Sequence, residues 1–130
     1  MTLMDKSAFL AIAERGFKTA TVAVPEWSMA TEEPITVKVR ELSADEFKKV
    51  GQEMGGREGQ EAVNRAMDYV YDVVVWCTLG DDDEQVFSEG DQAELKKAAK
   101  TSTFYQGLAR IANEVFSLSG LGEEEEESPN

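Results

Sequence analysis

Two stretches of the sequence repeat apolar residues on a helical spacing, and any fold open to the chain must bury both. Val63, Met67, Val70, Val74 and Cys77 form the first stripe; Phe104, Leu108, Ile111, Val115 and Leu118 form the second. Residues three and four apart share a helix face, so the stripes predict amphipathic helices over 60–79 and 102–119. Beside the second stripe runs a parallel row, Tyr105, Ala109, Ala112 and Phe116. Its apolar face is therefore wide enough to touch two neighbours. The first stretch becomes apolar all round at 73–77. A β-branched run that short also suits a buried strand, but the upstream periodicity favours helix as far as Gly80.

Elsewhere the pattern alternates between helix and strand. A short helix is predicted over 5–15, capped by Asp5 or Ser7 and ended by Gly16, with Phe9, Ile12 and Ala13 on one face. Val22 and Val24 then share one side of a strand over 19–27. Ile35, Val37 and Val39 share one side of a second, with Thr36, Lys38 and Arg40 opposite. The polar stretch 28–34 between them suits a hairpin with a longer loop, and Pro25 sets the first strand at an edge or ends it early. Ser43-Ala44-Asp45-Glu46 is a capping box opening a helix that would bury Phe47, Val50 and Met54, until Gly55, Gly56 and Gly59 interrupt it. A helix over 91–100 has Asp91 and Glu94 early and Lys96, Lys97 and Lys100 late, as its dipole favours. Thr101 or Ser102 opens the last helix. The expectation is one α+β domain over 1–119, predominantly helical, with one antiparallel β-hairpin packed on the helices.

Residues 120–130 read differently. Gly120, Leu121 and Gly122 lead into five consecutive glutamates and Ser128-Pro129-Asn130. Adjacent like charges repel and bury nothing, so a disordered acidic tail is expected. The whole chain has 26 acidic and 13 basic residues, a net −13. Without the glutamate run, 21 acidic residues still face 13 basic ones, so the body carries −8. That sign argues against nucleic acid and against an anionic membrane as partners. A single cysteine, Cys77, excludes an intrachain disulfide and fits a reducing cytoplasm. The first residues lack a signal-peptide run, and the apolar run 73–77 is too short to span a bilayer.

Little in the sequence points to catalysis. With no histidine, His-based nucleophile pairs and His-containing metal motifs are excluded. No Gly-rich phosphate loop is present. Asp81, Asp83 and Gln85 begin like a calcium loop, but Val86 stands where glycine is needed and Gln92 where a bidentate glutamate is needed. Cys77 lies in an apolar stripe without a neighbouring cation in sequence, which reads as an inert core thiol. Asp68 and Asp72, one helical turn apart, read as a polar helix face rather than an acid–base pair. Trp27 is balanced between a core lid and an interface anchor. No cofactor and no metal ion is expected.

Several pieces, taken in order, resemble a known family. They are Val24-Pro25-Glu26-Trp27, a strand running from Val37-Lys38-Val39-Arg40 through Glu41-Leu42 to the Ser43 cap, Phe87, and Leu118-Ser119-Gly120-Leu121-Gly122 followed by glutamates. Together they are similar to the tail assembly chaperones of long-tailed bacteriophages, over most of the chain. The resemblance implies a non-enzymatic protein of the host cell cytoplasm, absent from the finished virion. It would bind and solubilise the tape-measure protein and, through a frameshifted longer form, recruit tail tube protein. Ser128-Pro129-Asn130 can be encoded TCC CCA AAC, on which a ribosome can slip, so Gly120, Gly122, Pro129 and Asn130 mark the expected tail and frameshift junction.

The expected interface, for self-association and for partners, comprises Trp27, Val63, Met67, Val70, Val74, Trp76, Phe104, Tyr105, Leu108, Ile111, Val115 and Phe116. An acidic inhibitor or nucleic-acid mimic that fills a basic cleft is the alternative reading of the charge.

Overall fold

The structure, a computed structural model, describes residues 4–30, 34–54 and 69–120. Its sheet is built around a central strand, β2 (Thr36–Arg40). On one side β2 pairs antiparallel with β1 (Thr19–Ala23), from Thr19 opposite Arg40 to Ala23 opposite Thr36. On the other it pairs antiparallel with a two-residue strand, β3 (Thr78–Leu79), placing Val39 opposite Thr78. Among the described residues there are five α-helices: α1 (Lys6–Ala13), α2 (Ala44–Met54), α3 (Val70–Cys77), α4 (Asp91–Ala98) and α5 (Ser102–Leu118). A 3-10 helix, Pro25–Ala30, takes the end of the first strand, which was expected to run to 27 and stops at Ala23, together with the start of the expected loop. Proline suits a helix start because its missing N–H would have no partner there.

The helix-rich α+β class and the antiparallel β1–β2 hairpin are as expected, and a short third strand that was not expected joins the other edge of β2. The third strand comes from the segment read as continuous helix to Leu79. α3 ends at Cys77 because its last carbonyls find partners outside the helix. Arg40 Nη2 donates to Trp76 O at 2.8 Å and Gln85 Nε2 donates to Val75 O at 2.8 Å. Helix ends need such donors. Thr78 is thereby released into an extended conformation, φ −82° and ψ 127°. Val86 N donates back to Thr78 O at 3.1 Å, so the acidic segment 81–84 forms the turn of a small return loop.

The core lies between the inner sheet face and helices α3 and α5. Val24, Val39, Val73, Val75 and Val115 have no exposed surface, and Leu108, Ile111 and Ala112 have almost none. Burying each of the larger side chains contributes roughly 1.5–3 kcal/mol. α5 starts at Thr101, whose Oγ1 accepts from Phe104 N at 3.2 Å. At its other end Ser119 Oγ accepts from Leu42 N at 2.9 Å and donates to Val115 O at 2.7 Å. That one hydroxyl fastens the end of α5 to the chain leaving β2.

Trp27 resolves as a lid on this core. Its ring stacks on Phe104 with centroids 5.1 Å apart, and its Nε1 donates to Phe104 O at 3.3 Å. Room for the ring comes from Gly107. A Cβ there would sit 2.2 Å from Trp27 Nε1. A bidentate pair, Arg110 to Glu26 with Nη2 to Oε2 at 2.7 Å, closes the same seam at the surface.

Arg40 is the polar node. Besides Trp76 O, its Nη1 donates to Glu41 O at 2.8 Å and to Glu46 Oε1 at 2.9 Å. Its guanidinium lies 4.6 Å from the Phe17 ring centroid. Glu46 in turn accepts from Ser43 N at 2.8 Å while Ser43 Oγ accepts from Glu46 N at 3.2 Å, completing the capping box. Consecutive helix residues are about 100° apart. Turning Glu46 toward Arg40 therefore turns Phe47 outward, and Phe47 is 42% exposed rather than buried as its sequence position suggested. Val50, one turn later, is buried as expected.

Two substitutions test this account. Gly107→Ala improves helix propensity by about 1 kcal/mol, yet it must displace Trp27. A net loss of about 2 kcal/mol is expected, read by thermal or urea unfolding. For Glu46, burial raises the pKa, but the Arg40 guanidinium and the Ser43 amide outweigh it and hold the carboxyl below its ordinary 4.5. A depressed folded pKa means the contribution is complete above pH 4.5 and is lost as pH falls through the folded value. Glu46→Gln should cost about 2 kcal/mol at neutral pH and flatten the acid limb of stability against pH.

Candidate partner interface

The groups weighed for chemistry in the sequence have the following surroundings where they are described. Among the described residues, no three His, Cys, Asp or Glu side chains converge as metal-ion ligands. In the acidic loop Asp82 Oδ1 accepts from Glu84 N at 3.1 Å, Asp83 pairs with Lys38, and Asp83 adopts a left-handed φ of 65°. Those carboxylates shape a turn. Asp72 is half-buried, and burial raises its pKa against the opposing effects of Gln92 and Lys49. Asp68, its presumed companion, lies outside the described residues. Cys77 is fully buried, and burial pushes its thiol up to about 12 even though Arg40 favours the thiolate.

The residues expected to meet partners divide into two groups. Val70, Val74, Leu108, Ile111 and Val115 are buried within the chain's own core. In this conformation they present nothing to another protein, because the sheet and the opposing helix already cover the stripes. Val63 and Met67 lie outside the described residues, as do Gly122, Pro129 and Asn130; Gly120 follows α5 with φ +82°. Trp27, Trp76, Phe104, Tyr105 and Phe116 are half-buried and pack on the rim of the core.

On that rim the aromatics meet in pairs. Tyr69 and Trp76 lie 6.3 Å apart between centroids, and Tyr71 and Tyr105 lie 6.1 Å apart. Lys49 Nζ sits 5.7 Å from the Trp76 centroid. Tilted aromatic pairs and a cation over a ring fix orientation while leaving edges in water. Half-exposed Trp and Tyr are the side chains that dominate protein contacts.

Sequence reading missed a second apolar surface. α1 starts as expected, with Asp5 Oδ1 accepting from Ala8 N at 2.9 Å. None of its residues is buried. Phe9 is 62% exposed and Ile12 51%, with Leu10 between them, and Phe17 follows in the loop. The signal was available: 8–13 is apolar all round, not on one face, and so does not match a helix lying half in a core.

No family model matches the chain, and no curated protein matches it in sequence. One solved structure with a similar arrangement is that of the bacteriophage HK97 tail assembly chaperone. It is 21% identical, aligns over 82% of this chain and 99% of that one, and gives a TM-score of 0.46.

The state of Cys77 gives a direct check. With its thiol near 12 and no exposed surface, the native protein should react with an aromatic disulfide reagent at pH 8 at least ~1,000-fold more slowly than an exposed thiol. The unfolded chain should react fully in the same assay.

Proposed function

We propose that this chain is a non-enzymatic tail assembly chaperone of a long-tailed phage, which holds the tape-measure protein soluble in the host cytoplasm. The observation that carries this reading is the rim of half-exposed aromatics, Tyr69, Tyr71, Trp76 and Tyr105, on a body of strong net negative charge. A long helical client exposes apolar stripes before assembly. Aromatic edges can cover such a stripe, and the charge of the coat keeps the coated complex dispersed. The residues that resemble the chaperone family support the same role. Val24 and Trp27 build the lid, β2 leads into the Ser43 capping box, and Phe87 packs on the core. Recruitment of tail tube protein through a frameshifted extension after Asn130 belongs to the same proposal.

Co-expression with the tape-measure protein of the same phage tests it. The two should co-purify, the client should move from the pellet to the soluble fraction, and the complex should survive 1 M salt, since apolar contact is not screened. Trp76→Ala should keep its circular dichroism and lower client recovery several-fold. An acidic inhibitor of a basic cleft would behave oppositely, releasing its partner as salt rises. A client that stays insoluble beside well-folded chain would remove the chaperone reading.

A further inference from the structure

We infer that α1 is the surface through which two copies of this chain associate, α1 against α1. An eight-residue helix whose residues 8–13 are apolar all round is not stable in water by itself. Nothing among the described residues buries it. It therefore calls for a cover, and charge indicates which. Each copy carries −13, so two copies repel over most of their surfaces. Two stretches escape that sign: 95–113, with Lys96, Lys97, Lys100 and Arg110 and no acid, and the α1 segment; of the two, only the α1 segment exposes large apolar side chains. In residues 4–18, Lys6, Arg15 and Lys18 outnumber Asp5 and Glu14, a net +1, which leaves −14 on the remainder.

At α1 two copies can thus meet without setting acid against acid. It also holds the greatest concentration of exposed large apolar side chains among the described residues, Phe9, Leu10 and Ile12, with Met4 before it and Phe17 following. A reciprocal pairing buries Phe9, Leu10 and Ile12 from both sides at once. The contact is a property of the chain alone and needs no client. It is also distinct from the aromatic rim, so either surface can fail without the other.

Light scattering on the full chain tests it. Wild type should run above its 14.4 kDa monomer mass, and the associated fraction should grow with salt as repulsion is screened. Phe9→Glu with Ile12→Glu should be monomeric, as should Phe9→Lys with Ile12→Lys. An equimolar mixture of the two should associate again, because opposite charges then face each other across the helix pair. Ile12→Cys gives a test without added charge. Mild oxidation should cross-link it into dimers at least ~10-fold faster than Ala93→Cys on exposed α4. Buried Cys77 stays out of the reaction in both. A monomeric wild type, acidic variants that assemble normally, or equal cross-linking at the two sites would overturn the assignment. So would a mixture that fails to re-form while both variants keep wild-type circular dichroism.

Discussion

The fold turns on one half-buried cation. Arg40 ends β2, and its guanidinium reaches the last turn of α3 through Trp76 O, the start of α2 through Glu46, and the β2–α2 connection through Glu41 O. Burial works against that charge, but the Glu46 hydrogen bonds outweigh it and raise its pKa. Each partner supplies a different need. The helix end needs a donor for its carbonyl, the guanidinium needs an anion, and the capping box needs Glu46 turned toward Ser43. Satisfying all three fixes where α3 stops, and that stop is what allows β3 to form. Lysine could not replace arginine here, because one ammonium cannot address carbonyls and a bidentate carboxylate in several directions.

What was legible in the sequence is what depends on local spacing. The buried positions of α5, the alternation in β1 and β2, and the caps at Asp5, Ser43 and Thr101 follow from neighbours within four residues. What was not legible depends on contacts distant in sequence. β3 exists because Arg40 and Gln85 reach into the end of α3. The position of Trp27 depends on Gly107, eighty residues away in the chain. A glycine inside a strong helical stripe carries no sign that an indole lies against it. Phe47 was misplaced for a related reason: the apolar spacing of α2 is real, but the ion pair chose the rotation of the helix.

The candidate interface was harder to read than the core, and the cause is physical. Apolar stripes identify surface that must be removed from water without saying what removes it. The stripes of α3 and α5 cover each other and the sheet, so their central residues became core, and the aromatics beside them, with Leu118, reached the rim. α1 had the opposite history. Its apolar residues are not a stripe, and no described element receives them. The useful sign of a docking surface was therefore apolar character out of register with the fold's own periodicity.

Charge then separates the two surfaces. A chain of net −13 cannot bring large areas of itself onto a second copy without repulsion, and the proposed contact at α1 falls on a segment that is both slightly cationic and rich in exposed apolar side chains. A client of different charge meets no such restriction and can lie along the acidic body wherever aromatic edges are exposed. In the proposed role the two requirements agree. Copies joined at α1 would leave their rims free, and the repulsion that limits the joint would also keep coated complexes apart. An arrangement that used the rim for self-association would hide the aromatics a client needs, whereas a joint at α1 covers the exposed apolar helix and leaves the rim open.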